Sequence, residues 1–380
     1  MVKQIFILSV LLSVTGSLWL KGQTVDSGED KMSLLFIGDV MGHDEQLWAA
    51  QNNKTKSWNF DTSFCYIKPV ISEADFAIAN FEVTLGGPPY RGYPRFSAPA
   101  ALALACKNAG IDVLVTSNNH SADLGKEGIT GTIKRLDSLG ITHTGTFSGQ
   151  KVRDSLNPLI LRKGNISVAL LNYTFSTNGR TVPFPLIVDP INRSLIENDI
   201  LKARGLNPDK IILFLHWGNE YDTVPSAGQT ELAAWLFSKG ADIIIGSHPH
   251  VIQKMIMTGD SLVNENLVAY SLGNFVSNQA RPPTEGGALI RIVLEKTENK
   301  VNIAGAGYYL VWVYKPIINY HKEFYVLPCS EYENSPDFFI SSAYYKKMKD
   351  FLAASRKLLS EQNQRIYEIP YRANTWLLNN

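Results

Sequence analysis

Seven side chains in this sequence have the types and the placement to hold divalent metal: Asp39, Glu82, Asn119, His120, His216, His248 and His250. Metal sites need carboxylates, imidazoles and amide oxygens that converge from different elements. Each of these residues stands at, or just past, the end of a short apolar run. The strongest local piece is Gly246-Ser247-His248-Pro249-His250. In an extended segment, residues two apart project to the same side, so His248 and His250 are expected to face one cleft and to serve two adjacent metals.

The apolar runs that must position these groups read as buried strands. Ser33–Ile37 ends in Gly38-Asp39, Asp75–Ala79 leads into Asn80-Phe81-Glu82, and Asp112–Val115 leads into Asn118-Asn119-His120. Ile211–Leu215 delivers His216-Trp217-Gly218, and Asp242–Ile245 delivers the His-Pro-His segment. Helical stretches lie between them at Pro99–Ala109, Lys126–Leu139, Arg193–Arg204 and Gln229–Ser238, and glycines at 110, 140, 205 and 240 stand where left-handed C-caps are wanted. Strand, polar loop and helix in repetition is the pattern of an α/β sheet whose ligands bind beyond the carboxyl ends of its strands. Ile166–Leu171, Leu267–Tyr270, Ala288–Leu294 and Val301–Val313 lack such helices, which suggests an antiparallel portion or a second sheet. A two-sheet α/β/β/α sandwich follows as the expected fold. Ser341–Leu359 carries apolar residues at helical spacing and reads as a packing helix.

Composition narrows the class. Of 380 residues, 45% are hydrophobic and 19% charged, which excludes wholesale disorder. With 36 basic residues against 35 acidic and no cationic block, a nucleic-acid partner is not expected. Cys65, Cys106 and Cys329 are too widely spaced for a metal knuckle and allow at most one disulfide, with one thiol left over. At the N-terminus, Lys3 precedes the apolar run Ile5–Leu20, the layout of a secretory signal. Residues 1–22 are therefore read as a signal peptide or a membrane anchor, 32–315 as the main domain and 316–380 as a C-terminal extension.

Six motifs in order resemble the CapA family of bacterial capsule and poly-γ-glutamate biosynthesis, which is related to calcineurin-like metallophosphoesterases. They are Gly38-Asp39-Val40-Met41, Asn80-Phe81-Glu82, Ser117-Asn118-Asn119-His120 with Asp123, His216-Trp217-Gly218-Asn219-Glu220-Tyr221, Gly246-Ser247-His248-Pro249-His250-Val251 and Tyr270-Ser271-Leu272-Gly273-Asn274-Phe275. The resemblance implies a metallophosphoesterase-like four-layer fold and one or two divalent ions, with Zn or Mn suited to mixed nitrogen and oxygen ligands. It assigns Asp39 and His250 to a first metal, Asn119, His216 and His248 to a second, and Glu82 to the bridge. His120 would protonate the leaving group, with Asp123 orienting it.

The sequence departs from the phosphoesterase pattern at one ligand. Met41 stands where that pattern has histidine, and a thioether is a poor ligand for hard cations, so the first metal is expected to bind more weakly. His43, two residues further on, offers a substitute ligand but reads first as a solvated loop residue. The loop Tyr90–Phe96 joins guanidinium forks to aromatic faces, suited to an anionic polymer. Arg91, Tyr93, Arg95, Glu220 and Asn274 are the candidate substrate contacts. An exported hydrolase of a polyanionic envelope polymer, with a γ-glutamyl or phosphoester target, is the expected function; a non-catalytic polymer-binding or capsule assembly component is the alternative.

Overall fold

A computed structural model describes residues 30–260, 263–298, 300–372 and 375–376; the apolar Ile5–Leu20 segment lies outside the described residues. Every residue of the Lys31–Val40 strand after Lys31 is buried, so this strand needs a covering layer on each face. Alternation supplies the two faces. Met32, Leu34 and Phe36 enter a core shared with Val168, Leu170, Ile212, Phe214, Ile243 and Ile245 of a second sheet. Leu35 and Ile37 point the other way, onto Val70, Leu102 and Cys106 of an outer helical layer. The second sheet does the same on its far side. Leu171, Leu213 and Ile244 pack on Ile196 and Ile200 of the helix Arg193–Gly205 and on Ala233 and Leu236 of the helix Ala227–Lys239. The layers are thus helices, sheet, sheet, helices.

In the first sheet Phe76–Phe81, Val113–Val115 and Thr142–Thr144 continue from Lys31–Val40 in parallel. Gly286–Thr297, Lys300–Tyr314 and Tyr325–Pro328 extend its other side antiparallel. In the second sheet Ile166–Thr174, Lys210–His216, Ile243–Ser247 and Val263–Ala269 run parallel between the antiparallel edge strands Leu159–Lys163 and Met255–Asp260. This corrects one expectation. Ile166–Thr174 and Val263–Ala269 are parallel strands, and the antiparallel pair Gly286–Thr297 and Lys300–Tyr314 completes the first sheet instead of founding the second. Sequence distance from a helix misleads here because the crossover helix Arg193–Gly205 comes after a long loop.

The helix ends follow local chemistry. Ser226 caps Ala227–Lys239 in a capping box with Gln229, and Gly240 closes it at φ 98°. Gly110 and Gly140 take the expected left-handed conformation, whereas Gly205 stays helical and Asn207, at φ 50°, supplies the turn. Residues beyond 316 share the same core: Tyr325–Pro328 pairs with Lys300–Tyr314, and the helix Ser342–Gln362 inserts Met348, Phe351, Leu352 and Leu359. All three cysteines are free thiols. Among the described residues no helix is long and apolar enough to cross a membrane.

Candidate metal centre

The register of the strands sets up the site. Asp39 lies opposite Asn80 on one neighbour and Asn274 on the other, and His216 lies opposite Ser247, so both sheets present polar side chains at their carboxyl ends. Glycine is required at two of these strand ends. A Cβ on Gly38 would stand 2.0 Å from the Gly273 carbonyl oxygen, and one on Gly246 would stand 1.9 Å from that of Tyr270.

Two buried donor groups result. The ligand atoms of Glu82, His216 and His248 lie within 4.8 Å of one another, and so do those of Asp39, Glu82 and His250. Glu82 belongs to both. Its Oε1 is 3.6 Å from His216 Nε2 and 3.8 Å from His250 Nε2, a placement suited to a carboxylate shared by two cations. Asn119 Oδ1 is 3.0 Å from His216 Nε2, and Asp39 Oδ2 is 3.1 Å from His250 Nδ1. Glu82 Oε1 and His248 Nδ1 are buried without a hydrogen-bond partner, which is costly unless something else satisfies them. Oxygen and imidazole donors with unmet coordination capacity fit a divalent cation.

Electrostatics point the same way. Burial, and then the neighbouring Asp39 charge, push the Glu82 carboxyl well above the usual carboxylate range. A cation would take the place of the proton that burial favours there. Burial and adjacent imidazoles push His216 well below its ordinary value and His248 down to about 3, so both rings are neutral at pH 7 and available as ligands.

The His-Pro-His segment is not extended, contrary to expectation. His248 and His250 adopt positive φ values of 101° and 59°, conformations that non-glycine residues rarely adopt and that cluster at functional sites. Their rings nevertheless converge on the centre, with centroids 6.0 Å apart. His43 is also not the solvated residue expected. It begins the Asp44–Ala50 helix, lines the cleft beside Met41 and His250, and burial lowers it to about 4.

Asn80 is the principal omission from the sequence candidates. Its Nδ2 donates to Asp39 Oδ1 at 2.8 Å and to Glu82 Oε2 at 3.2 Å, and it lies 3.3 Å from His216 Nδ1. It therefore orients a residue of each donor group, the role played by partners behind metal ligands. The available signal was its position two residues before Glu82 at a strand end, which favours one shared face. Ser247 Oγ, 3.0 Å from His216 Nδ1, acts similarly. Phe175, just past the Ile166–Thr174 strand, packs its ring 4.6 Å from that of His248; no local pattern marked it.

The remaining candidates separate by position. His120 lines the same cleft, of about 290 Å³, with Tyr93, Glu220 and Tyr221. Its Nδ1 is 2.7 Å from Asp123 Oδ2, and Asp123 is fully buried. Arg91 and Arg95 do not line the cleft. Arg91 Nε donates to the Arg95 carbonyl at 3.2 Å and Arg95 Nε to the Asp123 carbonyl at 3.1 Å, so these guanidiniums brace the loop. Asn274 also stands behind the wall: fully buried, it donates through Nδ2 to Gln279 Oε1 at 3.0 Å and to the Thr284 carbonyl at 2.9 Å. It thereby holds the loop that places Gln279 on the cleft.

Met41 lines the cleft beside His250 and offers only a thioether, a poor ligand for hard cations, whereas Asn119 adds an amide oxygen beside His216, so the two donor groups are expected to be unequal. Calorimetric titration of metal-free protein with Mn²⁺ should be biphasic, and Met41→His should tighten the weaker phase by about tenfold or more. Two equally tight sites that ignore the substitution would contradict this asymmetry.

Comparison with known proteins bears on the whole assembly. Residues 33–279 match the family described as "Bacterial capsule synthesis protein PGA_cap". The chain is 28% identical over 278 residues to a capsule biosynthesis protein CapA of Bacillus anthracis, covering 69% of this chain but only 64% of that relative. It is 28% identical over 282 residues to a PGA biosynthesis protein CapA of Bacillus subtilis, covering 70% and 69%. Among solved structures, the calcineurin-like phosphoesterase YfkN of Bacillus subtilis aligns with a TM-score of 0.44 at 15% identity, over 74% of this chain and 90% of that one. With its matched region carrying both donor groups, His120 and Asp123, this chain belongs to the bacterial capsule synthesis protein family PGA_cap.

Proposed function

We propose that the chain is a metal-dependent hydrolase, exported to the cell envelope, that cleaves a γ-glutamyl or phosphoester bond in an anionic capsule polymer. The observation that carries this reading is Glu82, shared by two buried donor groups, one of which includes His250, while His250 and the Asp123-bound His120 line one cleft. Asp39, Glu82 and His250 would hold one cation, and Glu82, Asn119, His216 and His248 the other. A bound divalent cation supplies Lewis acidity and lowers the pKa of water toward neutrality. Asp123 holds His120 by Nδ1, which leaves Nε2 on the cleft side to deliver a proton to a leaving group. Tyr93 and Glu220 border the cleft mouth and are the proposed contacts for the polymer. An anionic polymer and the capsule machinery are the proposed partners. Export, and membrane attachment through the N-terminal run, rest on residues 4–20 alone.

A non-catalytic role in polymer binding or capsule assembly is the second reading, and Met41 in place of an imidazole favours it. One assay separates them. Purified full-length chain, stripped by chelator and reloaded with Mn²⁺ or Zn²⁺, is expected to hydrolyse either phosphoesters or γ-linked glutamate oligomers only when loaded. Loaded protein inert toward both classes, yet retaining the polymer, would sink the hydrolase reading.

A further inference from the structure

A second and larger cavity, of about 700 Å³, lies between the 280–285 segment, the end of the Lys300–Tyr314 strand and the Ser342–Gln362 helix. Its size falls in the range of small-molecule sites. Much of its lining is apolar, from Pro282, Pro283, Ile317, Phe351 and Ala354. Two polar side chains on the same wall are nearly buried and have atoms with no hydrogen-bond partner: Trp312 Nε1 and Glu285 Oε2, on residues 2% and 8% exposed. Unsatisfied buried groups of this kind are rare in native proteins and point to something that completes them.

The charges around the cavity favour an anion. Lys315, Lys322 and Lys347 line it against Glu285 and Asp350, and Asp350 is already paired with Lys346. Lys315 donates to the Gln279 carbonyl at 2.5 Å and Lys322 to Asn278 Oδ1. Lys347 has no ion-pair or hydrogen-bond partner among the described residues. We propose that this cavity binds an amphiphile with an anionic head, a carboxylate or a phosphate, recognised by Lys347 and the Trp312 indole N–H, with its hydrocarbon body against Pro282, Ile317 and Phe351. Burial raises the Glu285 carboxyl above its ordinary value. The inference does not depend on the metal centre. The two sites nevertheless share one wall, since Asn278 and Gln279 line the metal cleft while Ala280, Pro282 and Pro283 line this cavity.

Calorimetry on the full-length chain with dodecanoate, dodecyl phosphate and dodecanol tests the proposal. At least one anionic amphiphile should bind about tenfold or more tighter than dodecanol, a difference of about 1.4 kcal/mol or more. Ala354→Trp, at an exposed helix position that fills the cavity, and Lys347→Glu should each weaken that binding by a similar factor, with circular dichroism showing the fold intact. Phosphatidylglycerol vesicles distinguish the source of the head. Vesicle binding that Ala354→Trp weakens assigns a bilayer lipid, and binding of free amphiphiles alone assigns a soluble one. Dodecanol bound as tightly as both anions, or affinities that neither variant changes, would overturn the proposal.

Discussion

His120→Ala is expected to leave folding and metal content unchanged while lowering turnover by about 10²–10⁴-fold, the scale of general acid catalysis. The geometry makes this a specific expectation. His120 Nδ1 is 2.7 Å from Asp123 Oδ2, and the same carboxylate oxygen accepts the Phe96 backbone N–H at 2.7 Å. The Phe96 ring meets the imidazole edge-on at 4.7 Å. A carboxylate fixed by the backbone and an aromatic wall leave the imidazole little freedom, so Nε2 is the nitrogen available to the cleft. Since His120 belongs to neither donor group, its removal should not release metal. The loss should shrink for substrates with good leaving groups, which need less protonation. A loss independent of the leaving group would remove His120 from the acid role.

The largest effect on metal content is expected from His216→Ala and His248→Ala. Each removes an imidazole from the Glu82 group, and affinity should fall by more than the roughly 10–100-fold typical of partners that only orient a ligand. Asn80→Ala supplies the comparison. It removes a donor to Asp39 and Glu82 without removing a ligand, and should weaken binding by about 10–100-fold. Metal analysis after dialysis checks the order. Wild-type metal content in His216→Ala and His248→Ala would show that the donor group is not the binding site, and an Asn80→Ala loss equal to theirs would make Asn80 more than an orienting residue.

Much of the architecture was legible in the sequence because it depends on local periodicity. A strand buried on both faces is a continuous apolar run, as in Ser33–Ile37, and the structure extends that run to Lys31–Val40. Glycines such as Gly110, Gly140 and Gly240 mark helix ends through their own backbone freedom, whereas the Ser226 cap emerged only in the structure. The polar clusters after the strands could be read as site candidates because an α/β sheet gathers its strand ends on one edge.

What the sequence alone determined, then, were the elements and the list of polar groups at their ends. Tertiary structure decided which of those groups meet. Glu82 is shared by two donor groups only because the two sheets pack face to face with their carboxyl ends on the same side, while Gly38 and Gly246 let the 270–273 segment approach both strand ends. Arg91 and Arg95 turned to backbone carbonyls and Asn274 to its own loop, while Asn80, Phe175 and His43 were drawn to the centre or its cleft. Side-chain reach is a few ångströms, so register and packing between segments far apart in sequence set these contacts, and no local pattern encodes them.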